Sequence, residues 1–132
     1  MLNIKKLLTK MLTNIKTLSD NFALTSLTLT YTSNSIVSAT DFARLAACRR
    51  SKMLYMYGNL GIAFAGNTGG FVEIGRISGW VAAYDVLITV PQQSDGAKVA
   101  LVNITPGGVI KVYTETGAAN GWFRFSVCIP QA

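Results

Sequence analysis

The chain has 132 residues, half of them hydrophobic and only 14% charged, with two cysteines and no histidine. That length suits one ordinary domain, and the missing histidines exclude His-based catalysis and His-ligated metal centres, while two cysteines without a CxxC cannot build a structural zinc site. The net charge of +6 sits in residues 1–20 and 41–52, with charges balanced from 53 onward; so apolar and charge-poor a chain is expected to hide surface in an oligomer.

Residues 1–20 read as a helix. Met1, Ile4, Leu8, Met11, Ile15, Leu18 and Phe22 alternate in spacings of three and four, the a/d pattern of a coiled-coil seam. Lys5, Lys6, Lys10 and Lys16 fall outside that seam, and Leu7 and Leu12 widen the apolar face. A widened face suits three or more helices. The expectation is a short trimerisation helix, too short to associate without help from the domain that follows. An amphipathic helix packed on its own domain is the plainer alternative, and a helix lying on a membrane surface is a third. Lys10 and Lys16 interrupt any signal-peptide core, so the N-terminus reads as retained, and no apolar run approaches the ~20 residues of a membrane span.

Ser19-Asp20-Asn21 marks the end of the helical pattern, and residues 21–132 read as an all-β head domain. Residues 27–31 alternate as a half-buried strand. Short strands are expected at 36–39 and 44–50, although Asp41 could instead N-cap a short helix reaching Arg50. Further strands are expected at 53–65, 71–77, 81–90, 97–104, 109–114 and 122–129. In 71–77, Phe71, Glu73, Gly75 and Ile77 would share one face. In the last strand Phe123, Phe125, Val127 and Ile129 would face inward, with Trp122, Arg124, Ser126 and Cys128 outward. Turns such as Asn67-Thr68-Gly69-Gly70 and Thr105-Pro106-Gly107-Gly108 separate them. Eight or nine short strands at this spacing predict a jelly-roll-like β-sandwich or barrel.

No phosphate loop, nucleophile–base pair or metal cluster is legible, so no catalytic residue, metal or cofactor is expected, and the chain reads as a non-enzyme. The six carboxylates are scattered singly. The basic residues of the first third are not interleaved with aromatics along the sequence, so no specific nucleic-acid partner is expected. The aromatics Tyr55, Tyr57, Trp80, Tyr84, Tyr113 and Trp122 lie among polar residues, a combination suited to stacking on sugar rings, although any one of them can equally be core. Trp80 and Trp122, each following a glycine, suit corner packing. Cys48 and Cys128 can pair only if their strands are neighbours.

From about Tyr57 onward, the succession of Trp80, the apolar strand 85–90 ending in Pro91, Gly107-Gly108-Val109-Ile110-Lys111-Val112-Tyr113 and Gly121-Trp122-Phe123-Arg124-Phe125 resembles the C-terminal head domains of tail and baseplate receptor-binding proteins from phages of Gram-positive bacteria. Here Pro91 is followed by Gln92-Gln93-Ser94-Asp95-Gly96, where those families often carry a glycine–tyrosine–arginine–proline turn. The resemblance implies a homotrimeric virion protein on a tail or capsid surface. It implies attachment to other virion proteins through the helix and adhesion to a bacterial surface saccharide without membrane insertion. Tyr55, Tyr57, Arg76, Trp80, Tyr84 and Asp85 are the candidate contacts, and Ile4, Leu8, Met11, Ile15, Leu18 and Phe22 the candidate trimer seam. A capsid head fibre or decoration protein, a trimeric module like tumour-necrosis-factor or complement heads, and a small depolymerase with paired carboxylates are the alternatives.

Overall fold

The computed structural model describes residues 3–64, 69–79, 82–114 and 120–131, the side chains of 20–22 excepted. Helix α1 spans Ile4–Phe22. The Asn3 side chain caps it by accepting from the Lys6 N–H at 3.1 Å, which satisfies one of the orphan donors of its first turn. Thr9, Thr13 and Thr17 each donate a hydroxyl to the carbonyl four residues back, at 3.0 Å. Every described side chain from Ile4 to Ser19 is exposed, so the helix does not fold back over the strands that follow it.

Among the described residues eight antiparallel strands follow: β1 (Thr25–Tyr31), β2 (Leu45–Arg50), β3 (Met53–Ile62), β4 (Phe71–Ser78), β5 (Val86–Pro91), β6 (Val99–Ile104), β7 (Val109–Tyr113) and β8 (Gly121–Pro130). Their order in the sheet is β5-β6-β7-β4-β1-β2-β3-β8. The ends nearly close into a barrel through a bridge between Gln92 and Phe123 and a 2.7 Å bond from the Gln93 N–H to the Trp122 carbonyl. β1 is the corner strand. Residues 25–27 pair with β2, whereas residues 28–31 pair with β4.

The order contains two Greek keys, β4-β1-β2-β3 and β8-β5-β6-β7. A jelly roll also uses two Greek keys, but it pairs the first strand with the last. Here β1 lies between β4 and β2, so the jelly-roll expectation gives way to a double Greek-key barrel. The short connections at Ser51-Lys52, 92–98 and 105–108 decide this, because they return the chain beside the strand it has just left.

The core lies inside the barrel. β3 contributes Leu54, Met56, Leu60 and Ile62, β8 contributes Phe123, Phe125 and Ile129, and β6 and β7 contribute Val102, Ile104, Ile110 and Val112. The alternation expected for β8 is observed residue by residue. That expected for β4 is not: Ile74 and Ile77 are both buried while Arg76 is exposed. A bulge between Glu73 and Gly75 resets the parity.

The strand expected at 36–39 is absent. Asn34 Oδ1 accepts from the N–H groups of Ile36 and Val37 (2.9 and 2.7 Å), and its Nδ2 donates to the Thr32 carbonyl (2.7 Å). This Asx-type turn drives Ile36 and Val37 into the core. Helix α2 (Ala39–Phe42) follows, capped by Ser38 rather than Asp41 and ending well before Arg50. Phe42 plugs the gap where β1 leaves β2 and packs on Tyr31 with ring centroids 5.7 Å apart. The strand expected from residue 81 begins at Val86.

The closing seam is held by Gln92, which is buried. Its Nε2 donates to the Asn120 carbonyl at 3.0 Å, and Asn120 Oδ1 accepts from the Phe64 N–H at 2.6 Å. Two side-chain amides in series thus join the end of β5 to the approach of β8, and that approach to the exit of β3. Gln92→Ala is expected to cost about 1–2 kcal/mol, read as a lower urea midpoint with an unchanged slope.

Candidate functional site

Strand directions give the barrel two unlike ends. α1 enters β1 at one end, where the β2–β3, β4–β5 and β6–β7 connections also lie. The connections after β1, β3, β5 and β7 gather at the other end. A cleft of about 450 Å³ opens there, lined by Asn34, Ile36, Ser38, Asp41, Gly61 and Trp122 among others.

The cleft is built from local chemistry. The Asn34 turn and the Ser38 cap place α2 so that Asp41 overhangs β3. Gly61 makes room for it: a Cβ there would stand 2.9 Å from Asp41 Oδ2 and 3.3 Å from Trp122 Cη2. Trp122 pairs with Gly61 across β3–β8, and its ring reaches beside that side-chain-free step. The Arg44 guanidinium covers the indole at 4.8 Å from its centroid, a contact of about 0.5–1 kcal/mol at an exposed site. Among the described residues no donor pairs with the Asp41 carboxylate. The cleft therefore offers a carboxylate acceptor, the Ser38 hydroxyl and an aromatic edge, a set that suits hydroxyl-rich ligands.

The five described members of the six expected contact residues do not converge. Tyr55 and Tyr57 lie together on the outer face of β3, 36% and 54% exposed. Arg76 is on β4, separated from β3 by β1 and β2, and its Nε is bonded to Glu73 Oε1 at 2.9 Å. Tyr84 and Asp85 are exposed on the β4–β5 connection, at the α1 end. Trp80 lies outside the described residues. Asp41 and Ser38 were not legible as a site, because only the tertiary fold brings them to Trp122.

Cys48 and Cys128 are free thiols on the same outer face, each paired with Tyr55 from opposite sides. Two inter-strand steps place them about 10 Å apart, beyond the ~7 Å reach of a disulfide. The condition that their strands be neighbours is not met. Among the described residues no group of three or more His, Cys, Asp or Glu side chains is poised to hold a metal ion, and no helix is long and apolar enough to cross a membrane.

The expected trimer seam is uncovered in the single chain. Ile4, Leu8, Met11, Ile15 and Leu18 are each 49–66% exposed, and Leu7 and Leu12 beside them are exposed as well. The Phe22 side chain lies outside the described residues. Comparison of the chain with family models, curated proteins and solved structures returned no match.

Proposed function

We propose that this chain is a homotrimeric, non-enzymatic adhesive head of a virion surface protein: α1 joins three copies and docks them on their particle, and the barrel presents its far end to a bacterial surface saccharide. The observation that carries this reading is the a/d stripe of α1. A helix this exposed gains its stability when its apolar face is covered, and strict a/d spacing is the pattern that other helices cover. The polarity of the barrel supports the second half. With α1 at one end, the cleft beside Trp122 and Asp41 faces away from the attachment, and several weak sites on one particle add to firm adhesion.

Binding of the full chain to host cell-wall polysaccharide, read by surface plasmon resonance, tests it. Asp41→Asn and Trp122→Ala are each expected to weaken binding about tenfold, the equivalent of one lost hydrogen bond or one lost contact with the ring edge. Unchanged binding by both variants rejects the cleft, and release of new reducing ends by the native chain rejects the non-enzymatic reading.

A further inference from the structure

We propose that the outer face of β1, β2, β3 and β8 is a platform for single-stranded nucleic acid, bound without sequence preference. This goes beyond the saccharide reading, borders the cleft at Gly61 and Trp122, and is tested on residues outside the cleft lining. The ladder registers place Ser26, Cys48, Tyr55 and Cys128 in one outward row across the four strands. The next rows are Ala46–Tyr57–Ser126 and Asn59–Arg124, then Gly61–Trp122, with Arg50–Met53 closing the other end.

Two features of this face point to one class of ligand. The first is charge. Arg44, Arg50, Lys52 and Arg124 are exposed on or beside it, and none of the four strands contains an aspartate or glutamate. Both ion pairs among the described residues lie elsewhere, at Glu73–Arg76 and Asp95–Lys98. Three of the four cations are arginines, whose planar forks suit phosphate.

The second feature is stacking. Tyr55 and Tyr57 stand two residues apart on one strand, so their rings are spaced by about 7 Å, room for one base on each. Rings at alternate positions on an exposed sheet face, flanked by cations, form a stacking surface for unpaired bases. A duplex keeps its bases stacked on one another and offers no free ring faces, so the surface selects single strands. Along the sequence the basic residues and the aromatics stand apart; the β2–β3 and β3–β8 ladders interleave them.

The test is fluorescence anisotropy of the full chain with a labelled oligothymidylate of about 12 nucleotides, titrated at several salt concentrations. Binding is expected to weaken with salt. Tyr55→Thr and Tyr57→Thr, which keep strand propensity, are expected to lower affinity about tenfold each at an unchanged salt slope, because they remove stacking and not charge. Arg124→Gln is expected to reduce the slope by about 0.7, one phosphate contact. Absence of binding at low salt overturns the proposal. So does equal affinity for a duplex or for an anionic polysaccharide with both tyrosine variants silent, which marks a merely cationic surface. So does loss on replacing Lys10 and Lys16 by Gln while the sheet variants stay silent, which moves the contact to α1.

Discussion

Ile15→Asp is expected to leave the barrel folded and the chain monomeric. Ile15 is at the centre of the α1 stripe and 61% exposed in the single chain, so a carboxylate there costs the lone subunit little beyond a small loss of helix propensity. In a three-helix seam the same change places three carboxylates against one another in an apolar core. An unpaired buried charge costs about 3–5 kcal/mol, and like charges at close range add to that. Sedimentation equilibrium at micromolar concentration reads the result directly: three chains for the native protein, one for the variant, with the far-UV β signal retained. Lys10→Asp, outside the seam, is the matched control and should leave the mass unchanged. A native chain that sediments as a monomer refutes the seam, and with it the adhesive trimer.

Gly75→Ala is the second large effect, and it acts inside the barrel. Gly75 is at the β4 bulge, directly over the Phe42 plug. A Cβ built there meets Phe42 Cε2 at 2.6 Å, lies closer still to Phe42 Cζ, and stands 2.7 Å from the Thr30 carbonyl. The ring is buried and the carbonyl belongs to the neighbouring strand, so neither can yield cheaply. Overpacking of a sealed core costs about 1–3 kcal/mol, and a clash that involves backbone belongs at the upper end. A fall of about 10 °C in the thermal midpoint is expected for a domain of this size. Gly96→Ala, where a Cβ meets nothing within 4 Å, should shift it by less than about 0.5 kcal/mol. Phe42→Leu shortens the plug and should recover part of the loss when combined with Gly75→Ala, the non-additivity of residues in contact.

What was legible in the sequence is what depends on near neighbours. The α1 stripe and the alternation of β8 follow from helical and strand periodicity, and the turn glycines separated most strands correctly. The β4 parity was not legible, because a bulge is invisible to period-two counting. Residues 36–39 carried a strand-like pattern, but Asn34 captures the N–H groups of Ile36 and Val37 and the gap between β1 and β2 needs a plug. Tertiary burial there outweighs local propensity. Strand order depends on which distant segments meet, and for that reason the fold class was accessible and the Greek-key pairing was not. The spread of the candidate contacts over the barrel has the same cause. Tyr55 and Tyr57 are adjacent on one strand and stayed together, whereas Arg76, Tyr84 and Asp85 were grouped by composition and the barrel disperses them. Asp41 and Trp122, far apart along the chain, are both brought beside Gly61, where the missing side chain leaves room for them.

The two unlike ends of the barrel have a mechanical consequence. A pull applied between α1 and the far loops runs along the strand axes, and antiparallel inter-strand bonds lie perpendicular to those axes. Such tension loads each ladder sideways along its whole length, so many bonds must fail together instead of opening one after another. The same fold pulled across its strands at the Gln92 seam would unzip bond by bond, which makes the direction of the load, more than the number of bonds, the measure of how firmly this molecule can hold.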